Sequence, residues 1–224
     1  MLTLLIAAIS KKNKELCIGY NITIKANSDS LFVDKNDITH LLTDAVGTDI
    51  SSLASFVSKA KTLIYSNSEF RRLESWASEL NEKINIHLPS ISSQHYFDAG
   101  YHKHLDSSLT WRLRKALEQA LASADTLPSS KLETFARCVV LRTGQWALDG
   151  RRQIPTISKF REVIFAHAKE MIHGARELRT AVSTYAAYKP RATCLNHSII
   201  GFDTKKVFNG STPKLVLTSP PYPG

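Results

Sequence analysis

AVGTDISSLASFVSKAKTLIYS (residues 45–66) decides how this chain folds. A short apolar lead is broken at Gly47 and Asp49, and Ser51 or Ser52 then offers a side-chain oxygen to the first free amides of a helix. Beyond the hydroxyls, Leu53, Phe56, Val57 and Ala60 recur at helical spacing and predict one apolar face. The stretch therefore reads as a strand, a tight turn and a helix.

Working outward, residues 69–188 read as almost wholly helical. Phe70, Leu73, Trp76, Ala77 and Leu80 mark one apolar stripe, and Leu105, Leu109, Leu113, Ala116, Leu117 and Ala120 mark the next, with Asp106 or Ser107 as its cap. Pro128 with Ser129 and Ser130 separates a third helix ending at Gly150, and Pro155 and Pro190 bracket a long fourth. After Pro190, ATCLNHSIIGFDT and PKLVLTSPPY are β-rich runs punctuated by Asn209, Gly210 and Pro213, so two strands are expected at the end. The expected organisation is an atypical segment at 1–45, an α/β region at 46–66, a helical insertion at 67–190 and a strand–loop region at 191–224.

Bulk properties narrow the class. The 224 residues are 43% hydrophobic and 22% charged, ordinary for a globular protein, and no window reaches the roughly 18 apolar residues of a membrane span. In the opening MLTLLIAAIS the lysines follow the apolar run, which argues against a secretion signal. Cys17, Cys138 and Cys194 are odd in number and widely spaced, so a reducing, cytoplasmic setting is expected. Lys and Arg outnumber Asp and Glu by 29 to 20; the resulting +9 favours polyanionic partners. Arg112, Arg114 and Lys115, together with Arg151 and Arg152, are candidates for phosphate contact, whereas Trp76, Trp111 and Trp146 sit on apolar helical faces and are expected in the core. His102, His104 and Asp106 alternate at a helix entrance, which points their side chains apart, and no metal is expected.

The stretch at 218–222 carries the chemistry. Proline fixes its own φ and holds the preceding residue extended, so Ser219 and Pro220 form a rigid loop after the VLT run. Their oxygens make an array of acceptors for a planar ligand with an exocyclic amino group, and Tyr222 supplies a stacking face. Ligand crevices in open α/β sheets lie at such strand ends.

Ser219-Pro220-Pro221-Tyr222 resembles the catalytic motif IV of the amino-group DNA methyltransferases, and Gly47-Thr48-Asp49-Ile50-Ser51-Ser52-Leu53-Ala54 resembles that family's G-x-D-I/V-N-x-x-A stretch. Ile200-Gly201-Phe202-Asp203 is similar to the G-D element one strand before motif IV, and parts of the helical block resemble the insertion of a bacterial subgroup. The resemblance implies a partial Rossmann-like α/β methyltransferase sheet with a large helical insertion. It implies S-adenosyl-L-methionine as cofactor, Asp49 as acceptor for its ribose hydroxyls and Asp203 as a positioning acid. A DNA base flipped out of the helix would donate its amino hydrogens to Ser219 and the Pro220 carbonyl while stacked on Tyr222, for in-line methylation of cytosine N4 or adenine N6. A restriction endonuclease partner is implied as well.

Two parts of the family pattern have no counterpart. Gly19 is the only glycine before Gly47, so the glycine-rich motif I is missing, and no strands follow motif IV. The expectation is an incomplete chain that does not methylate DNA alone, or one completed by a partner chain. The alternative reading is a non-catalytic helical module for nucleic-acid binding or protein interaction.

Overall fold

The computed structural model describes residues 24–26, 29–31, 45–88, 105, 107–149, 153–185, 191–198, 200–201 and 203–207. Outside them lie the Ser219–Tyr222 motif, the strand expected over PKLVLT, His102, His104, Asp106, Arg151, Arg152 and Cys17. The chain divides into two compact units: residues 1–63 with 177–224, and residues 64–176.

In the first unit, β1 (Ile24–Ala26) pairs antiparallel with β2 (Asp29–Leu31). Next comes β3 (Ala45–Asp49), which pairs in parallel with β4 (Ala192–Asn196), from Ala45 opposite Ala192 to Asp49 opposite Asn196. Parallel strands require a long crossover, and here the connection contains most of the chain's helix. The class is α/β, dominated by helix, with a two-stranded parallel sheet.

Helix α1 (Ser52–Thr62) starts where the sequence places it, with the Ser51 side chain accepting from the Ala54 amide. Its packed face differs from the expected one: Ala54, Ser58 and Ala60 are buried, Phe56 and Val57 are half-buried, and Leu53 is 46% exposed. Small side chains let the helix come close to β4, where hydroxyls do the joining. Ser55 donates to the Leu195 carbonyl at 3.1 Å, and the Thr62 hydroxyl sits 4.0 Å from the Cys194 sulfur. Ser58, buried among them, satisfies its hydroxyl on the Ala54 carbonyl one turn back.

The second unit is helical. In α2 (Asn67–Lys83) all five residues of the expected stripe are buried, from Leu73 at 0% exposure to Trp76 and Ala77 at 2%. A capping box fixes its start: Ser66 accepts from the Glu69 amide while the Glu69 carboxylate accepts from the Ser66 amide. α3 (Trp111–Asp125) begins later than expected, because Ser107 organises a turn by accepting from the Thr110 and Trp111 amides instead of capping the helix. That turn leaves Leu109 79% exposed, while Leu113, Ala116 and Ala120 are buried. Ser129 caps α4 (Ser130–Leu148), whose Phe135 and Val139 enter the core. α5 (Ile157–Tyr185) contributes Phe160, Ile164 and Ala168, each fully buried. Each buried Phe, Ile, Leu or Val side chain contributes about 1.5–3 kcal/mol.

Two neighbours close the end of α2, where carbonyls run out of helical partners. The Arg161 guanidinium on α5 donates through Nε to the Ile84 carbonyl at 2.7 Å, and Gln119 on α3 donates to the Asn85 carbonyl at 2.7 Å. Among the described residues, no helix is long and apolar enough to cross a membrane.

Candidate functional site

Asp49 is the last residue of β3 and is exposed. Its Oδ1 accepts from the Ser51 amide at 2.7 Å, an Asx turn that fixes the carboxylate beside the N-terminus of α1, where the helix dipole favours an anion. Its other oxygen accepts nothing from the described residues. The acid thus holds the turn, and Ser51 rather than Asp49 is the cap.

The parallel register brings the end of β4 to the same edge. The His197 amide donates to the Asp49 carbonyl at 3.0 Å, and the Thr48 hydroxyl donates to the His197 carbonyl. With its amide nitrogen turned toward them, Asn196 donates to the carbonyls of Asp49 and Ile50, each at 3.1 Å. Ile50 follows the acid with 80% of its surface exposed. An apolar side chain and a fixed carboxylate therefore stand together at the C-terminal edge of a parallel pair, a polarity that suits a ligand with a ring and hydroxyls.

Asp203 is placed differently. Its Oδ1 accepts from the Lys206 amide at 3.2 Å and so caps α6 (Thr204–Val207). Gly201, just before it, has a φ of 75°, in the left-handed region that disfavours a side chain. Ser219, Pro220, Pro221 and Tyr222 lie outside the described residues, so only Asp49 and Asp203 of the expected site have a described position. Asn196 and His197 escaped the sequence reading, because nothing local signals which strand end they meet.

For the cofactor implied by the resemblance, the residues at hand fit in part. Asp49 offers a ribose hydroxyl one oxygen that no described residue engages and Ile50 offers an apolar surface, whereas the Asp203 oxygen that caps α6 is already used. Among the described residues, no cluster of three or more His, Cys, Asp or Glu is placed to hold a metal ion.

The basic cluster on α3 divides. Leu113 is buried, Arg114 lies 3.6 Å from Glu118, and Arg112 stacks 5.3 Å from the Trp111 ring centre. Trp111 is 37% exposed, against the expectation of core packing, because on α3 it lies on the side opposite the buried Leu113, Ala116 and Ala120; Trp76 is buried at 2%.

Compared with known families, curated proteins and solved structures, the chain matches no family model, no curated protein and no solved structure.

Proposed function

We propose that the β3–α1–β4 unit is the cofactor-binding edge of a site-specific DNA methyltransferase. Its reaction would move a methyl group from S-adenosyl-L-methionine to cytosine N4 or adenine N6. One observation carries the reading: an exposed, turn-fixed Asp49 carboxylate at the C-terminal edge of two parallel strands, where open α/β sheets bind ligands. When bound, the cofactor supplies an electrophilic methyl group. Asp49 holds a ribose hydroxyl through its second oxygen, and the Asx turn keeps that oxygen from rotating away.

By resemblance, Ser219 and the Pro220 carbonyl hold the amino group of a flipped base stacked on Tyr222, with Pro221 stiffening the loop. Asp203 acts through the turn it caps. DNA as substrate, a cytoplasmic setting and a restriction endonuclease partner belong to the same proposal.

Equilibrium dialysis of labelled S-adenosyl-L-methionine against the full chain tests it. Saturable binding is expected, weakened about tenfold or more by Asp49→Ala, a loss of about 1.4 kcal/mol. Labelled-methyl transfer to DNA by this chain alone is expected to stay at background, since no glycine-rich turn precedes Asp49. No saturable binding, or binding indifferent to Asp49, overturns the reading.

A second reading rests on the separate core of residues 64–176: a helical nucleic-acid-binding or interaction module without catalysis. Salt-dependent DNA binding by a chain that takes up no S-adenosyl-L-methionine would favour it.

A further inference from the structure

An open groove of about 210 Å³ runs between α2 and α5 in the helical unit, with Ala77 and Ser78 on one side and Phe165, Lys169 and Ile172 on the other. We propose that this groove binds a small monocarboxylate with an apolar tail. The proposal is independent of the β3–β4 edge.

Small side chains on α2 leave the space. Ala77 is buried and reaches no further than its methyl group, and Ser78 turns its hydroxyl back onto the Glu74 carbonyl at 2.9 Å, so its one hydrogen is already given. Opposite them Ile172 is buried, whereas Phe165 keeps 39% of its surface exposed and gives the groove an aromatic wall. Phe165, Lys169, Ile172 and Arg176 recur three and four residues apart, which puts them on one face of α5.

The charges select the ligand. Arg176 is bound to Glu74 at 2.8 Å and lies 5.0 Å from the Phe70 ring centre, so an anion near it also meets the Glu74 carboxylate. Lys169 stands seven residues earlier, about 10 Å away along the helix, and its neighbours three and four positions off are Phe165, Ala166, Ile172 and His173, none of them acidic. Its ammonium rests 5.4 Å from the Phe165 ring centre and meets no carboxylate among the described residues. A lysine and an arginine against one glutamate leave the lining net positive, and His173 on the same wall adds no negative charge. An uncompensated cation beside aromatic and aliphatic side chains calls for one negative charge joined to an apolar body; a bare phosphate would leave the apolar wall unused. The space falls below the roughly 300 Å³ at which drug-sized sites begin, which limits the tail to a short chain.

Ligand-observed NMR titration of the full chain with hexanoate, 1-hexanol, butanoate and inorganic phosphate tests this. None of the probes has a ribose, so the Asp49 reading is not engaged, and Asp49→Ala should leave the result unchanged. Saturable hexanoate binding is expected, about threefold or more tighter than 1-hexanol, which lacks the charge. It should also be about fivefold or more tighter than butanoate, which lacks two methylenes, and tighter than phosphate. Lys169→Gln, at an exposed position, should bring hexanoate down to the level of 1-hexanol and leave 1-hexanol unchanged. Ser78→Leu, also exposed, fills the groove and should abolish binding of both while the far-UV circular dichroism stays that of the parent chain. No saturable hexanoate binding, equal binding of hexanoate and 1-hexanol, phosphate binding as tight as hexanoate, or indifference to either variant would overturn the proposal.

Discussion

The Thr48 hydroxyl donates to the carbonyl of His197, 149 residues further along the chain. With the His197 amide on the Asp49 carbonyl, this bond laces the two strand ends together at the edge where the candidate acid stands. A two-stranded parallel pair is a weak structure in isolation, so its end contacts matter more than they would within a wide sheet.

Thr48→Val should therefore loosen this edge specifically. The expected loss is about 1 kcal/mol, the net value of one hydrogen bond, with the exchange of the His197 amide accelerating about fivefold while amides in α2 stay unchanged. Unaltered exchange at His197 would show that the hydroxyl does not hold the edge.

Glu69 joins two jobs at the start of α2: it completes the capping box and pairs with Lys131 at 2.9 Å. Burial pushes its carboxyl up, but the hydrogen bonds from the Ser66 amide, Lys131 and the Ser66 hydroxyl outweigh this and hold it below the usual carboxylate range. A lowered folded value means stability that is present above the unfolded value of about 4.3 and lost as pH falls through the folded one. Glu69→Ala should cost about 1–2 kcal/mol at pH 7, and Glu69→Gln, which can still close the box, less than 1 kcal/mol. Urea unfolding midpoints should show both differences shrinking below pH 4.

Tyr65 makes the opposite case. Its ring packs on Phe70 and edge-on to Phe135 at 5.5 Å, with the Lys131 ammonium 4.8 Å from its centre. Its hydroxyl, however, is buried and meets no partner among the described residues, and burial raises the phenol well above its ordinary range. Tyr65→Phe keeps the ring contacts and removes an unpaired polar group, so it should be neutral or stabilise by about 1 kcal/mol. A drop in Tm for this variant would contradict that account.

His167 sets a pH dependence. Its folded value is lowered by burial first and by Arg142 second, with Glu170 opposing; Asp149 is the other charged group lining the basin beside it. Below the ordinary histidine value of about 6.5 the unfolded chain takes the proton more readily, so stability should fall as pH drops through that value toward the folded one and be complete above it. His167→Gln should flatten this part of the curve of unfolding free energy against pH; an unchanged slope between about pH 5 and 7 would refute the assignment.

Much of the local structure could be read in advance from spacing alone. The α2 stripe from Phe70 to Leu80, the Ser51 cap and the breaks around Pro128 and Pro155 follow from periodicity and cap chemistry, which act over a single turn. The outward positions of Leu53 and Trp111 were not legible, because hydrophobicity says which side chains prefer burial but not which face the neighbouring element approaches.

The sequence by itself determined that Asp49 ends a strand and precedes a helix. Only the tertiary structure decided that its neighbours are Asn196 and His197, since parallel register is set by packing between elements separated by a long insertion. In the same way, a threonine and a histidine on two predicted helices, Thr143 and His167, became one hydrogen-bonded pair only when α4 and α5 met.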